Sequence, residues 1–183
     1  VSLQKADWID AGWLIMATKG VEAVKVEVLA SQLQVSKGSF YWHFQNRREL
    51  LEAILLRWEE ETQWFIQESQ QATTPKQRLQ KLFHLIEESC QKPDPESAIL
   101  FWANKDPEVG KRVRELETKR LNFLTELLTD YGFAEREAKR RAEITYFTLC
   151  GFFDRRERDK TFEVSIDEFS QFLLSLLLSP INN

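Results

Sequence analysis

The sequence predicts an all-α protein of about nine helices, a three-helix head followed by a larger helical body. Three observations carry this. First, Leu, Glu, Gln, Lys and Arg dominate the 183 residues, only six are glycine, and β-branched alternation is nearly absent, which favours helix. Second, a capping residue precedes proline at Thr74-Pro75, Asp94-Pro95 and Asp106-Pro107. Each pair sets an N-cap oxygen before a proline at the first helical position, where its missing N–H costs nothing. Third, Asn46 to Glu49 and Ser165 to Glu168 have capping-box spacing, and Gly20 and Gly132 each follow a periodic run as left-handed helix stops.

The elements follow in order. The first helix is expected from Ser2 to Lys19, with Leu3, Trp8, Ala11, Leu14 and Ile15 on its buried side. A second runs from about Val26 to Leu33 and a third from Lys37 to His43. The fourth is long, from Arg47 to about Gln71. Pro75–Gln91, Pro95–Lys105, Pro107–Tyr131, Glu135–Glu157 and Ile166–Leu178 complete the set. Residues 1–45 then form the head and 46–183 the body, with the fourth helix starting at one and running into the other.

Bulk properties narrow the function. An apolar content of 43% supports a real core, and a formal charge of −4 gives no global basic field. Residues 1–50 carry six Lys/Arg against five Asp/Glu, a net of +1, which leaves −5 for the remainder. Such a head suits DNA only if its few cations share a face. Cys90 and Cys150 lie far apart without metal spacing, so a reducing, cytoplasmic setting is expected. The run Leu173–Leu178 is too short to span a membrane, and no signal peptide is visible. The chain opens on Val, so a preceding piece, able to carry a basic arm, is expected.

Gly20 to Leu50 is the most informative stretch: two short helices, a tight turn, then the start of a long helix. Leu29, Leu33, Val35, Phe40 and Phe44 are spaced to face inward. That leaves Lys37, Ser39, Tyr41, Trp42 and His43 on or near the outer face, an arrangement suited to laying a helix in a DNA groove. Ser36 is placed to cap the third helix, whose free N–H groups would welcome a phosphate.

Gly20-Val-Glu-Ala, Leu29-Ala30, Val35-Ser36-Lys37-Gly38-Ser39-Phe40-Tyr41-Trp42-His43-Phe44, Arg47 and Leu50 together resemble the DNA-binding head of the TetR family of bacterial transcriptional regulators. The body resembles that family in length and helical layout only. Two positions depart from the family pattern: Gln34 stands where a turn glycine is usual, and Lys25 where threonine often caps the second helix. Lysine cannot cap through oxygen, but it offers phosphate a point charge. By resemblance, Tyr41 and Arg47 would hold the DNA backbone, and Lys37, Ser39, Trp42 and His43 would reach phosphates or base edges. The resemblance further implies a homodimer that reads a pseudo-palindromic operator on double-stranded DNA and releases it when a ligand shifts the fourth helix.

The body is rich in bulky apolar residues, among them Leu82, Phe83, Leu100, Phe101, Leu124 and Phe152, and most are expected in the core. TetR-like bodies usually hold a cavity, and Trp102, Phe123, Tyr146 and Cys150 are the candidates to line one for a small apolar or aromatic effector. Ile144, Phe147, Phe169, Phe172, Leu173 and Leu176 on the last two helices are the candidates for a twofold four-helix interface. The run Arg155-Arg156-Glu157-Arg158-Asp159-Lys160 reads as a charged loop. An enzyme fits poorly: His43 and His84 are the only histidines, and no Glu-x-x-His pair, nucleophile elbow or phosphate loop occurs. No metal or cofactor is called for. A helical ligand-binding or assembly module whose head no longer reads DNA is the alternative, kept open by Lys25 and Gln34.

Overall fold

The computed structural model describes residues 3–159 and 161–179. Nine α-helices and no strand are found among them: α1 Lys5–Lys19, α2 Val26–Gln32, α3 Lys37–Phe40, α4 Arg47–Gln70, α5 Pro75–Ser89, α6 Glu96–Ala103, α7 Pro107–Tyr131, α8 Glu135–Arg158 and α9 Ile166–Leu178. A 3₁₀ turn, Val21–Ala23, lies between α1 and α2.

Local chemistry sets most of these limits. Thr74 Oγ1 accepts from the Gln77 amide, while the Gln77 side chain accepts from the Thr74 amide, a reciprocal cap with Pro75 as the first residue of α5. Asp106 Oδ1 accepts from the Glu108 amide at 3.1 Å ahead of α7. Asn46 Oδ1 accepts from the Glu49 amide at 3.0 Å, and Glu49 reaches back one residue further than expected, to the Gln45 amide at 2.7 Å. Before α6 the helix starts one residue later than expected. Asp94 accepts from the Glu96 amide, and Pro95 takes the capping position. Gly20 and Gly132 take φ of +82° and +123°, angles that a side chain would strain.

The chain packs as two compact units. The first comprises the chain up to Glu61 with Lys92–Val113, and the second Thr62–Gln91 with the chain from Arg114 onward. The helices α4 and α7 each run unbroken through the point where one unit gives way to the other.

In the first unit, Trp8, Phe40 and Phe44 make a ring cluster: Trp8 meets Phe40 edge-on and Phe40 stacks on Phe44, both at 5.3 Å between centroids. Leu50, Ile54, Leu55 and Trp58 of α4 add to its buried set. Gly12 lets α1 lie against α4, since a Cβ there would fall 2.7 Å from Ile54 Cδ1. The buried stripe of α1 is Trp8, Ala11, Trp13, Ile15 and Met16, whereas Leu14 is exposed and Leu3 half-buried. Leu14 sits six residues after Trp8, off the i, i+3, i+4, i+7 face. Ser2 lies outside the described residues. In α6 only Ile99 and Trp102 are buried, and Leu100 and Phe101 face outward.

The second unit is built on Leu79 and Phe83 of α5, Phe123, Leu124, Leu127 and Leu128 of α7, Ala138, Ala142 and Leu149 of α8, and Leu173 and Leu177 of α9. Arg141 is buried among them. Its Nε donates to Glu137 at 2.8 Å and its Nη2 to the Ser179 carbonyl at 2.7 Å, so it closes the end of α9. Arg155, Arg156 and Arg158 lie in the last turn of α8, not in a loop. Arg155 pairs with Asp159 and Arg158 with Asp154, each at 2.7 Å. Cations in a final turn suit the partial negative charge of the helix end. Lys160 lies outside the described residues. Among the described residues no helix is long and apolar enough to cross a membrane, and no group of three His, Cys, Asp or Glu is placed to hold a metal.

Candidate nucleic-acid interface

The head presents its site through a turn that closes without glycine. The Val35 amide donates to the Ala30 carbonyl at 2.9 Å and the Gln34 amide to Ser31 at 3.2 Å. This is the two-bond stop that normally places glycine at the left-handed residue. Gln34 takes that place itself, at φ +56°. The departure at this position leaves the turn closed and is accommodated as backbone strain.

The third helix is shorter than expected. It spans Lys37–Phe40 and continues as turns, with the Tyr41 amide bonded to Gly38 and the His43 and Phe44 amides to Phe40. Phe40 and Phe44 are buried and anchor the segment. Tyr41 and Trp42 between them are 60% and 87% exposed. His43 is half-buried, Ser39 half-buried, and Ser36 and Lys37 exposed. Ser36 occupies the N-cap position, but its hydroxyl makes no capping bond there. Lys25 stands exposed at the N-cap of α2 and likewise gives no side-chain cap. Lys25, Ser36, Lys37, Ser39, Tyr41, Trp42 and His43 thus fall on the α2–α3 portion of one unit.

Arg47 has a different environment. Its Nη2 donates to the Val21 carbonyl at 2.6 Å and its Nε to the Val24 carbonyl, with Glu22 3.9 Å away. The guanidinium therefore braces the 3₁₀ turn that leads into α2. Sequence reading missed this because the partners are 23 and 26 residues away and are backbone atoms.

Two further sets of charges were not foreseen. Lys37 Nζ donates to Glu27 Oε1 at 2.8 Å across the turn. Behind the head, Arg112 holds Glu59 through two bonds of 2.7 Å and Glu52 through one of 2.6 Å, while Arg48 binds Glu52 and Asp106. The Arg48 bond holds the Asp106 carboxyl below its usual range. These pairs tie α4 to the start of α7 within the first unit. Apart from Arg48–Glu52, an i, i+4 pair within α4, the partners lie 53 to 60 residues apart and leave no periodic signal.

Of the four effector candidates, Trp102 is buried in the first unit, with the Arg48 guanidinium 5.2 Å from its ring. Phe123, Tyr146 and Cys150 belong to the second unit, Phe123 buried in its core and the other two half-buried. Tyr146 Oη lies 3.4 Å from Glu117. The six interface candidates divide. Ile144, Phe147, Phe172 and Leu176 are between 53% and 66% exposed. Leu173 is buried in the core of its own unit, and Phe169 stacks on Phe152 at 4.0 Å.

Comparison with known proteins places this geometry. Residues 9–54 match the model of bacterial regulatory proteins, tetR family. The chain is similar to the tetracycline repressor protein class G of Vibrio anguillarum, 38% identical over 52 residues, which are 28% of this chain and 25% of that protein. In fold it is similar to a transcriptional regulator from Rhodococcus sp. Rha1, with a TM-score of 0.78 at 17% identity over 96% of this chain and 94% of that one. It is also similar to the transcriptional regulator FadR of Bacillus subtilis, solved in complex with stearoyl-CoA, with a TM-score of 0.65 at 20% identity over 98% of this chain and 100% of that one. The head at residues 9–54 thus matches the tetR family of bacterial regulatory proteins, and the all-helical fold of the chain is that of solved transcriptional regulators.

Proposed function

We propose that the chain is a ligand-responsive transcriptional repressor that binds a pseudo-palindromic operator as a homodimer, with residues 1–45 as its reading head. The observation that carries this is the outward display of Tyr41 and Trp42, 60% and 87% exposed, on a segment whose neighbours Phe40 and Phe44 are buried. Two large rings left in water are a poor choice for a surface with nothing to bind. Lys25, exposed at the start of α2, supplies phosphate-seeking charge beside them.

The exposed Ile144, Phe147, Phe172 and Leu176 on α8 and α9 support a twofold mate, and two α3 segments about 34 Å apart then meet successive major-groove faces. An apolar or aromatic effector suits the rings of the second unit, and one solved protein of like fold holds a ligand with a long acyl chain, stearoyl-CoA. Release follows if the ligand favours a head spacing that misfits the operator, which takes a few kcal/mol of differential binding.

Gel retardation with the DNA flanking the chain's own gene tests this. A sequence-selective shift is expected, abolished in a Lys25→Ala/Tyr41→Ala variant that remains dimeric by light scattering. A dimer that retards no duplex would overturn the repressor reading and leave the head an assembly element.

A further inference from the structure

The outward face of the head carries an anion among its cations. Glu27 lies in the first turn of α2, and its Oε1 accepts from Nζ of Lys37, the first residue of α3, at 2.8 Å. The two side chains are 60% and 59% exposed, so burial does not force them together. The Lys37 bond, then Glu27's own backbone amide, hold this carboxyl below its usual range, with Lys25 adding to the field. The group is ionised wherever DNA would be bound.

A carboxylate on a DNA-reading surface is repelled by every phosphate it passes. It gains from the duplex where donors are offered, and in the major groove these are the exocyclic amines. Cytosine N4 is the usual partner of a glutamate, and the O6 and N7 of guanine that of a lysine. A G·C pair shows both features on one edge. Guanine offers the ammonium two adjacent acceptors, where adenine sets a donor beside its single one. Lys37 keeps donors beyond the one given to Glu27, and a carboxylate accepts more than one bond.

We propose that Glu27 and Lys37 act as one bidentate reader of a G·C pair in each half-site, Lys37 donating to guanine and Glu27 accepting from cytosine N4. The ion pair sets the two side chains before DNA arrives, and each neutralises the other against the phosphates. Lys37 is then a base-reading residue and not a backbone clamp, and Glu27 joins it as a specificity determinant. This rests on the DNA-reading function proposed above.

The test is selection of duplexes from a randomised library by the full chain, followed by titration of the selected site. Wild type is expected to enrich a G·C pair at one position per half-site. Glu27→Gln and Lys37→Gln are expected to lose preference at that position alone, with a drop of about ten- to a hundredfold on the selected site. The charge-swapped Glu27→Lys/Lys37→Glu variant keeps the ion pair and is expected to invert the preference to C·G. Both side chains are exposed, and unchanged melting temperatures confirm that the variants fold. Unaltered profiles in the variants, or a uniform loss of affinity across all sequences, would overturn the reader while leaving DNA binding intact. Wild type that enriches no duplex would overturn the reader together with the DNA-binding function, a result separable from the others because it needs no variant.

Discussion

Arg47 Nη2 lies 2.6 Å from the carbonyl oxygen of Val21, so the first residue of the long fourth helix holds the turn that launches the second. Replacing Arg47 by alanine leaves the Val21 and Val24 carbonyls without this partner. The expected cost is about 1–3 kcal/mol of stability by urea denaturation. Lysine should not restore it, because one ammonium cannot reproduce a planar two-pronged donor. Tyr41→Ala is the contrasting case: stability is expected within about 0.5 kcal/mol of wild type, with DNA retardation lost.

Gln34 stands in the left-handed region at φ +56°, where a side chain crowds its own backbone. Gln34→Gly is expected to stabilise the head by about 1 kcal/mol, read as a higher urea midpoint with unchanged slope. A destabilised variant would mean that the glutamine side chain makes up for its backbone strain.

Glu61 responds to pH in an unusual direction for a surface acid. Burial, then the nearby Asp94, push its carboxyl above the ordinary 4.5, against the pull of Arg57 and Lys92. The native chain therefore holds this proton to higher pH than the unfolded chain does. Stability attributable to Glu61 falls as pH rises from 4.5 through the raised value, and the deficit is complete above it. Glu61→Gln is expected to melt higher than wild type at pH 7, with the gain shrinking as pH is lowered through that window. Thermal melts from pH 4 to pH 8, read against about 4.5 as the unperturbed reference, check the sign.

Phe147 and Phe172 are 64% and 66% exposed on α8 and α9. A Phe147→Lys/Phe172→Lys variant is expected to elute as a monomer with unchanged helical circular dichroism and to lose operator affinity, since each head then binds alone. A dimer that survives both changes would place the twofold elsewhere.

Much of this molecule was legible because its signals are local. Thr74 with Pro75, and Asp106 with Pro107, announce their helices within three residues, and those helices begin as read. Phe40 and Phe44, four apart, fixed the inward face of the head. Other features depend on atoms brought together by folding. Nothing in the order of residues says that Arg47 reaches Val21, that Lys37 meets Glu27, or that Arg112 grips Glu59. The apolar stripe of α1 was misjudged at Leu14 because a helix so rich in hydrophobes admits more than one face, and α4 selected the one bearing Gly12. The division of α9 between an inward Leu173 and an outward Phe172 was invisible for the same reason: both lie in one continuous run of apolar residues.

The burial of Phe40 and Phe44 has an evolutionary corollary. Those two rings are buried in the head, while the residues at 37, 41 and 42 lie exposed. Change at those three exposed positions therefore costs the fold little, so descendants of this chain can rewrite that surface without passing through an unfolded ancestor.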